Sequence, residues 1–180
     1  LDQYVTVGEM SSTSLDNCIR YSSPAEKELS MCFNFHHLKI DYKDGKKWEL
    51  MEPDLMRLKG LFETWETGMQ EAGGWNALFW CNHDQPRIVS RLGDEGRYWK
   101  ESAKMLAASI HLMRGTPYIY QGEEIGMTNP HFDDIHQYRD VESLNYYNIL
   151  LEQGKTSREA MEILQARSRD NGRKPVQWNA

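Results

Sequence analysis

The chain has 180 residues, about one domain, and 39% of them are hydrophobic, enough to bury a core. No run approaches the ~20 apolar residues that span a bilayer, so no membrane partner is expected. A net charge of −6 without a basic stripe argues against nucleic acid as the main partner, although an acidic surface still allows a local cationic pocket. Residues 1 to 5 carry neither a basic n-region nor an apolar h-region, so no secretory signal is visible, and the missing initiator Met suggests a chain that starts inside a longer protein. Cys18, Cys32 and Cys81 have no metal-ligand spacing, and their odd number fits reduced thiols; a cytoplasmic location is expected.

The first element is a β-branched strand over residues 4 to 9, Tyr-Val-Thr-Val-Gly-Glu. A helix follows from about Ser14, where Leu15 and Ile19 stand four apart with Cys18 on the same side. Residues 29 to 35 form the second apolar run. From Pro53, the set Leu55, Leu58, Phe62, Trp65 and Met69 recurs every three or four residues, which predicts an amphipathic helix with Pro near its first turn and a stop at Gly73-Gly74. Asn76-Ala77-Leu78-Phe79-Trp80 reads as a buried strand running to Cys81. Ala103, Leu106, Ala107, Ile110 and Met113 make another helical stripe, which Gly115-Thr116-Pro117 breaks before a strand at Tyr118-Ile119-Tyr120. Residues 121 to 180 add polar connections and helical stretches, among them 157 to 164. Alternating strands and helices call for a parallel sheet with helices packed outside it. Four strands are too few to close an eight-stranded barrel of ~250 residues, so the fold class expected is α/β, a partial TIM (β/α)8 barrel.

Chemistry concentrates in Trp80-Cys81-Asn82-His83-Asp84-Gln85-Pro86-Arg87, which sets a His, a carboxylate and an Arg beyond a strand. Glu9 and Asp84 each end a predicted strand, the face where such barrels carry catalytic groups. Two carboxyls converging there suit cleavage of a glycosidic bond, one protonating the leaving oxygen while others stay ionised beside an oxocarbenium-like transition state. Taken singly, either carboxylate is better read as a cap of a neighbouring helix, and it is their company that points to chemistry. His83 can hydrogen-bond a sugar hydroxyl in either protonation state, and the Arg87 fork can orient a carboxylate; a lone His83 would fit a structural role as well.

Three stretches, Thr6-Val7-Gly8-Glu9-Met10, Asn82-His83-Asp84-Gln85-Pro86-Arg87 and the run from Gly115 through Tyr120-Gln121-Gly122-Glu123-Glu124 to Met127, resemble the later signature regions of the α-amylase family. The resemblance covers the whole chain. It implies strands 5 to 8 of the catalytic barrel, with residues 1–180 its C-terminal half and both the N-terminal half and the C-terminal β domain lying outside the chain. It also implies retaining hydrolysis of an α-glucosidic bond, with no cofactor. A glutamate matching Glu9 is the family's general acid/base, and an aspartate matching Asp84 stabilises the transition state while its neighbour His83 binds sugar. Arg169, in Arg169-Asp170-Asn171-Gly172-Arg173, matches a substrate-binding arginine of the oligo-1,6-glucosidase branch; without the resemblance it reads as a surface ion pair. The family's aspartate nucleophile, at the end of the fourth strand, has no match here, so the chain by itself is expected to be inactive.

Within that family, Glu9-Met10-Ser11-Ser12-Thr13-Ser14, Phe33-Asn34-Phe35-His36-His37-Leu38-Lys39 and residues 76 to 82 look most like the enzymes that split trehalose 6-phosphate. The partner implied is a phosphorylated disaccharide. Its phosphate needs cations, which Lys39 and Lys47 offer, unless residues 43 to 47 are a solvated turn. Phe35 is the aromatic retained as a sugar contact, whereas Trp48, Trp65, Trp75, Trp80 and Trp99 read mostly as core. His36 and His37 lack companion ligands, so no catalytic metal is expected. Glu123 and Glu124 are expected to orient neighbouring backbone. One alternative is an oligo-1,6-glucosidase or dextran glucosidase acting on neutral isomalto-oligosaccharides. Another is a non-catalytic, amylase-like assembly domain, against which the presence of Glu9, His83 and Asp84 weighs. A half-barrel exposes sheet edges, so the isolated chain is expected to self-associate.

Overall fold

The computed structural model describes residues 4–178, which divide into two compact units. Of these, the first comprises residues 4–41, 51–79 and 109–118; the second, residues 42–50, 80–108 and 119–178.

The first unit holds a four-stranded sheet of β1 (Val7–Met10), β2 (Met31–Asn34), β3 (Asn76–Leu78) and β4 (Thr116–Pro117), all parallel and neighbouring in chain order. That order, with a helix in each crossover, is the strand–helix repeat of a (β/α)8 barrel carried through four strands. Helix α1 (Leu15–Ser22) starts at the expected Ser14, whose side chain caps it by accepting the Asn17 N–H at 3.3 Å. Helix α2 (Leu55–Glu71) is capped by Asp54, which accepts from Arg57 N at 2.9 Å, so Pro53 stands just before the cap, near the first turn as expected. It ends before Gly73, whose φ of +75° few side chains tolerate. Gly8 and Met10 face the helices, where Cys18, Cys32, Trp65 and Met69 are buried with Leu15, Ile19, Leu29 and Leu61 around them. Val7 and Glu9 therefore face the other side of the sheet.

All four strands differ in extent from the expected runs, β2 by covering only Met31–Asn34 of the run from 29 to 35. Residues 4 to 6 lie outside β1, because the ladder to β2 begins with Val7 opposite Met31. β3 stops at Leu78 rather than Cys81, and the last strand is Thr116–Pro117 rather than 118 to 120. Both follow from one event. The β3–β4 ladder pairs only Ala77 with Thr116 and Leu78 with Pro117, then closes with the Tyr118 N–H on Leu78 O at 2.7 Å.

The second unit holds α3 (Ile88–Leu92), most of α4 (Trp99–His111), α5 (Val141–Glu152) and α6 (Ser157–Arg167), with a short connection from α5 to α6. Met113, placed in the α4 stripe by its spacing, falls beyond the helix end. Thr156 and Glu159 form a capping box at the start of α6. The core is Trp48, Tyr138, Leu150, Ala160, Met161, Ile163 and Leu164, with Trp48 stacked on Tyr146 at 4.7 Å between ring centroids. Trp65 and Trp80 are also buried, so three of the five tryptophans read mostly as core are core, while Trp75 and Trp99 are 36% and 41% exposed. Each is held at its rim: Trp75 Nε1 donates to Thr116 Oγ1 at 2.9 Å, and Trp99 Nε1 to Gly126 O at 2.7 Å. All three cysteines are buried free thiols. Among the described residues, no helix is long and apolar enough to cross a membrane.

Candidate active site

In the first unit, Glu9 is the penultimate residue of β1, exposed and paired in register with Phe33 of β2. Beside it on the same face runs an aromatic wall: Phe33 meets Phe79 and Tyr118 edge-on at 5.0 and 4.7 Å. Phe35 packs edge-on against Phe79 at 5.0 Å and is only 8% exposed, so it has little ring face to offer a ligand. Lys39 donates to Ser11 O at 3.1 Å and Ser12 Oγ at 3.5 Å in the loop after β1. The two histidines are tied to carbonyls, His36 Nε2 to Thr13 O at 3.0 Å and His37 Nε2 to Phe79 O at 2.8 Å.

Asp84 belongs to the second unit. It does not end β3 but lies past it, in a turn where Asn82 Oδ1 accepts the Asp84 N–H at 2.8 Å and Asn82 O accepts that of Gln85 at 3.3 Å. This turn rests against the 3-10 segment Arg169–Gly172, where a Cβ on Gly172 would stand 2.6 Å from Gln85 O. Asn171, fully buried, anchors that segment by donating to Leu164 O and Gln165 O at 3.2 and 2.8 Å. Arg169, which opens the segment, and Arg173, which follows it, consequently converge on the aspartate. Arg169 Nη1 and Arg173 Nη2 donate to Asp84 Oδ1 at 3.3 and 2.8 Å, and Oδ2 faces His83 Nε2 at 3.5 Å.

Behind Asp84 the ion pairs continue. Asp140 Oδ1 meets Arg169 Nη2 at 3.0 Å and Arg173 Nη1 at 3.4 Å, and Glu142 Oε2 meets Arg169 Nε at 3.2 Å and Lys47 Nζ at 2.8 Å. Lys47 also lies over the Trp48 ring. Burial would push the Asp140 carboxyl up, but the hydrogen bond from Arg169, the Ser143 N–H and the charges of both arginines outweigh it and hold the group below its ordinary value. Burial likewise opposes the charge on Arg169, and the hydrogen bond to Asp140 with the charges of Asp140, Glu142 and Asp84 overcomes it, so its pKa is raised.

His83, Asp84 and Arg169 are thus brought together, with Lys47 joined to them through Glu142. Arg87 departs from expectation. It is 1% exposed, and instead of orienting a carboxylate it donates to Gln121 O at 2.7 Å beneath the Tyr120 ring. Glu123 accepts the Tyr120 N–H at 3.0 Å, a glutamate orienting backbone as the sequence suggests. Asp140, Glu142 and Arg173 escaped the sequence reading. Arg173 stands four residues after Arg169, a spacing that hinted at a pair, while nothing near Asp140 signals its distant partners. Among the described residues, no three His, Cys, Asp or Glu side chains are grouped to hold a metal ion.

A model of the α-amylase catalytic domain matches residues 1–180. The chain belongs to the α-amylase family. It is 63% identical over 176 residues to a trehalose-6-phosphate hydrolase of Bacillus subtilis, covering 98% of this chain and 31% of that protein. An oligo-1,6-glucosidase of Halalkalibacterium halodurans is 49% identical over 175 residues, covering 97% and 31%. The crystal structure of the Bacillus licheniformis trehalose-6-phosphate hydrolase superposes with a TM-score of 0.95 at 66% identity, over 97% of this chain and 32% of that one. The chain thus spans about a third of the length of the relatives it matches, and the parallel α/β sheet is this family's barrel in part.

Proposed function

We propose that residues 1–180 are the C-terminal half of the catalytic barrel of a retaining α-glucoside hydrolase that converts trehalose 6-phosphate to glucose and glucose 6-phosphate. In this reading Glu9 protonates the glycosidic oxygen as it leaves, and Asp84 stands beside the oxocarbenium-like transition state with His83 and Arg169 on the sugar. Lys39 and Lys47 point toward the phosphate in this reading, while Phe35, packed on Phe79, shapes the wall beside Glu9 and offers the sugar little open ring face. The observation that carries the reading is the geometry at Asp84. One carboxylate oxygen is held by two guanidinium groups while the other stays on the His83 side, an orientation suited to presenting charge to a developing cation. The phosphorylated substrate is supported by 63% identity to a phosphotrehalose hydrolase against 49% to an oligo-1,6-glucosidase.

One feature favours a second reading, a glucosidase for neutral isomalto-oligosaccharides: Lys47 is already paired with Glu142 at 2.8 Å. The full-length protein separates the two. Assayed on trehalose 6-phosphate, trehalose and isomaltose, it is expected to prefer the phosphorylated sugar in kcat/KM, and Glu9→Gln to abolish that turnover. Isomaltose turned over equally well would replace the first reading by the second. In this proposal the 180-residue chain alone is inactive, lacking a carboxylate that matches the family nucleophile, and self-associates.

A further inference from the structure

We infer that Arg173 is a positioning residue for the transition-state carboxylate, fixing the His83-Asp84 dipeptide by its backbone and its side chain at once. This rests on the role given above to Asp84. Each guanidinium nitrogen of Arg173 has its own acceptor: Nε donates to His83 O at 2.7 Å, Nη2 to Asp84 Oδ1 at 2.8 Å, and Nη1 to Asp140 Oδ1 at 3.4 Å. The first two bonds run in one plane from one rigid fork, so together they set both where the main chain of residue 83 lies and how the carboxylate of residue 84 is turned. Arg169 reaches the same oxygen at 3.3 Å but bonds nothing of the turn's backbone. The two arginines therefore divide the work: Arg169 supplies charge to the carboxylate, and Arg173 sets its bearing.

A turn residue depends on such a clamp. The strand β3 ends at Leu78, well before Asp84, and the turn's own bonds, from Asn82, restrain only the backbone of Asp84. Rotation of the carboxylate is restrained by the arginines. Arg173 is in turn steered by Asp140, which is 8% exposed and fixed as the N-cap of α5.

The test uses the full-length protein and trehalose 6-phosphate, with Arg173→Lys, Arg173→Ala and Asp84→Asn compared for kcat, KM and thermal midpoint. Lysine keeps the charge but cannot reach the backbone and the carboxylate together, so kcat in Arg173→Lys should fall on the order of 10²-fold, the usual cost of a misplaced group. KM should move less than about threefold, because the loss appears in the transition state and not in ground-state binding. In Arg173→Ala, added methylguanidinium should restore part of the lost kcat. Wild-type kcat in Arg173→Lys, or a loss confined to KM, overturns the inference while an inactive Asp84→Asn leaves the reading of Asp84 standing. Full activity in Asp84→Asn overturns both. Should Arg173→Ala fail to fold, the lysine variant decides alone.

Discussion

Asp140 combines a helix cap with an ion-pair hub. Its Oδ2 accepts from Ser143 N and Oγ at 3.2 and 3.3 Å, while Oδ1 faces both arginines. Because its pKa is depressed in the folded chain, its contribution is present above the unfolded aspartate value of ~3.9 and is lost as pH falls through the lower folded value. Asn at this position keeps the cap, since Asn is as good an N-cap as Asp, but cannot hold two guanidinium groups. Asp140→Asn should therefore lower stability at neutral pH by on the order of 2 kcal/mol, the range for a hydrogen bond to a charged group. The gap between variant and wild type should close as both are titrated below pH ~4. Thermal midpoints across a pH series measure this; a gap that stays constant down to acid would mean that the carboxylate's charge is not what stabilises. Such pairings are the least legible feature of the chain. Arg173 and Asp84 are 89 residues apart, and no periodicity joins them.

At the level of elements, the sequence is most informative where a long apolar stripe repeats. The stripe of α2 is found where its spacing puts it, because a 17-residue helix offers several turns of evidence, and α1 and α6 cover the stretches expected to be helical. Strand limits were displaced, because strands of two to four residues end where a partner ends, and that partner is remote in sequence. Helix α5 was not singled out, since it buries Ser143 as well as Leu150 and leaves Val141 and Ile149 exposed. The contact between the 3-10 segment Arg169–Gly172 and the turn at residues 82 to 85 was equally silent, although it decides where the arginines point. Gly172→Ala tests it. The new methyl would stand 2.6 Å from Gln85 O and 3.3 Å from Asn82 O, both backbone atoms that cannot swing aside. Overpacking of this kind costs ~1–3 kcal/mol, and the turn carrying Asp84 should shift away from Arg169 and Arg173. A lower thermal midpoint with a disproportionate fall in kcat is expected in the full-length protein; a loss of stability with unchanged kcat would mean that the two segments are independent.

For the whole molecule, the consequence lies in the sheet's open edges. Among the described residues, β1 and β4 each pair on one side only. They are not equally exposed to association. β4 has two residues, one of them Pro117 with no N–H to donate, a short and poorly pairing edge. β1 has four, and beside its unpaired side Val7 is 36% exposed, with Val5 at 71% and Tyr4 at 67% just ahead of it. An exposed β-branched edge is a template for another strand, and within β1 the charge of Glu9 opposes it. Purified alone, the 180-residue chain should associate increasingly with concentration in sedimentation velocity, and Val7→Lys, which puts a second charge on that edge, should reduce the association. A monomer at every concentration would show that the edge is protected by something other than pairing. Association that Val7→Lys leaves untouched would move the contact away from β1, to the other exposed apolar surface.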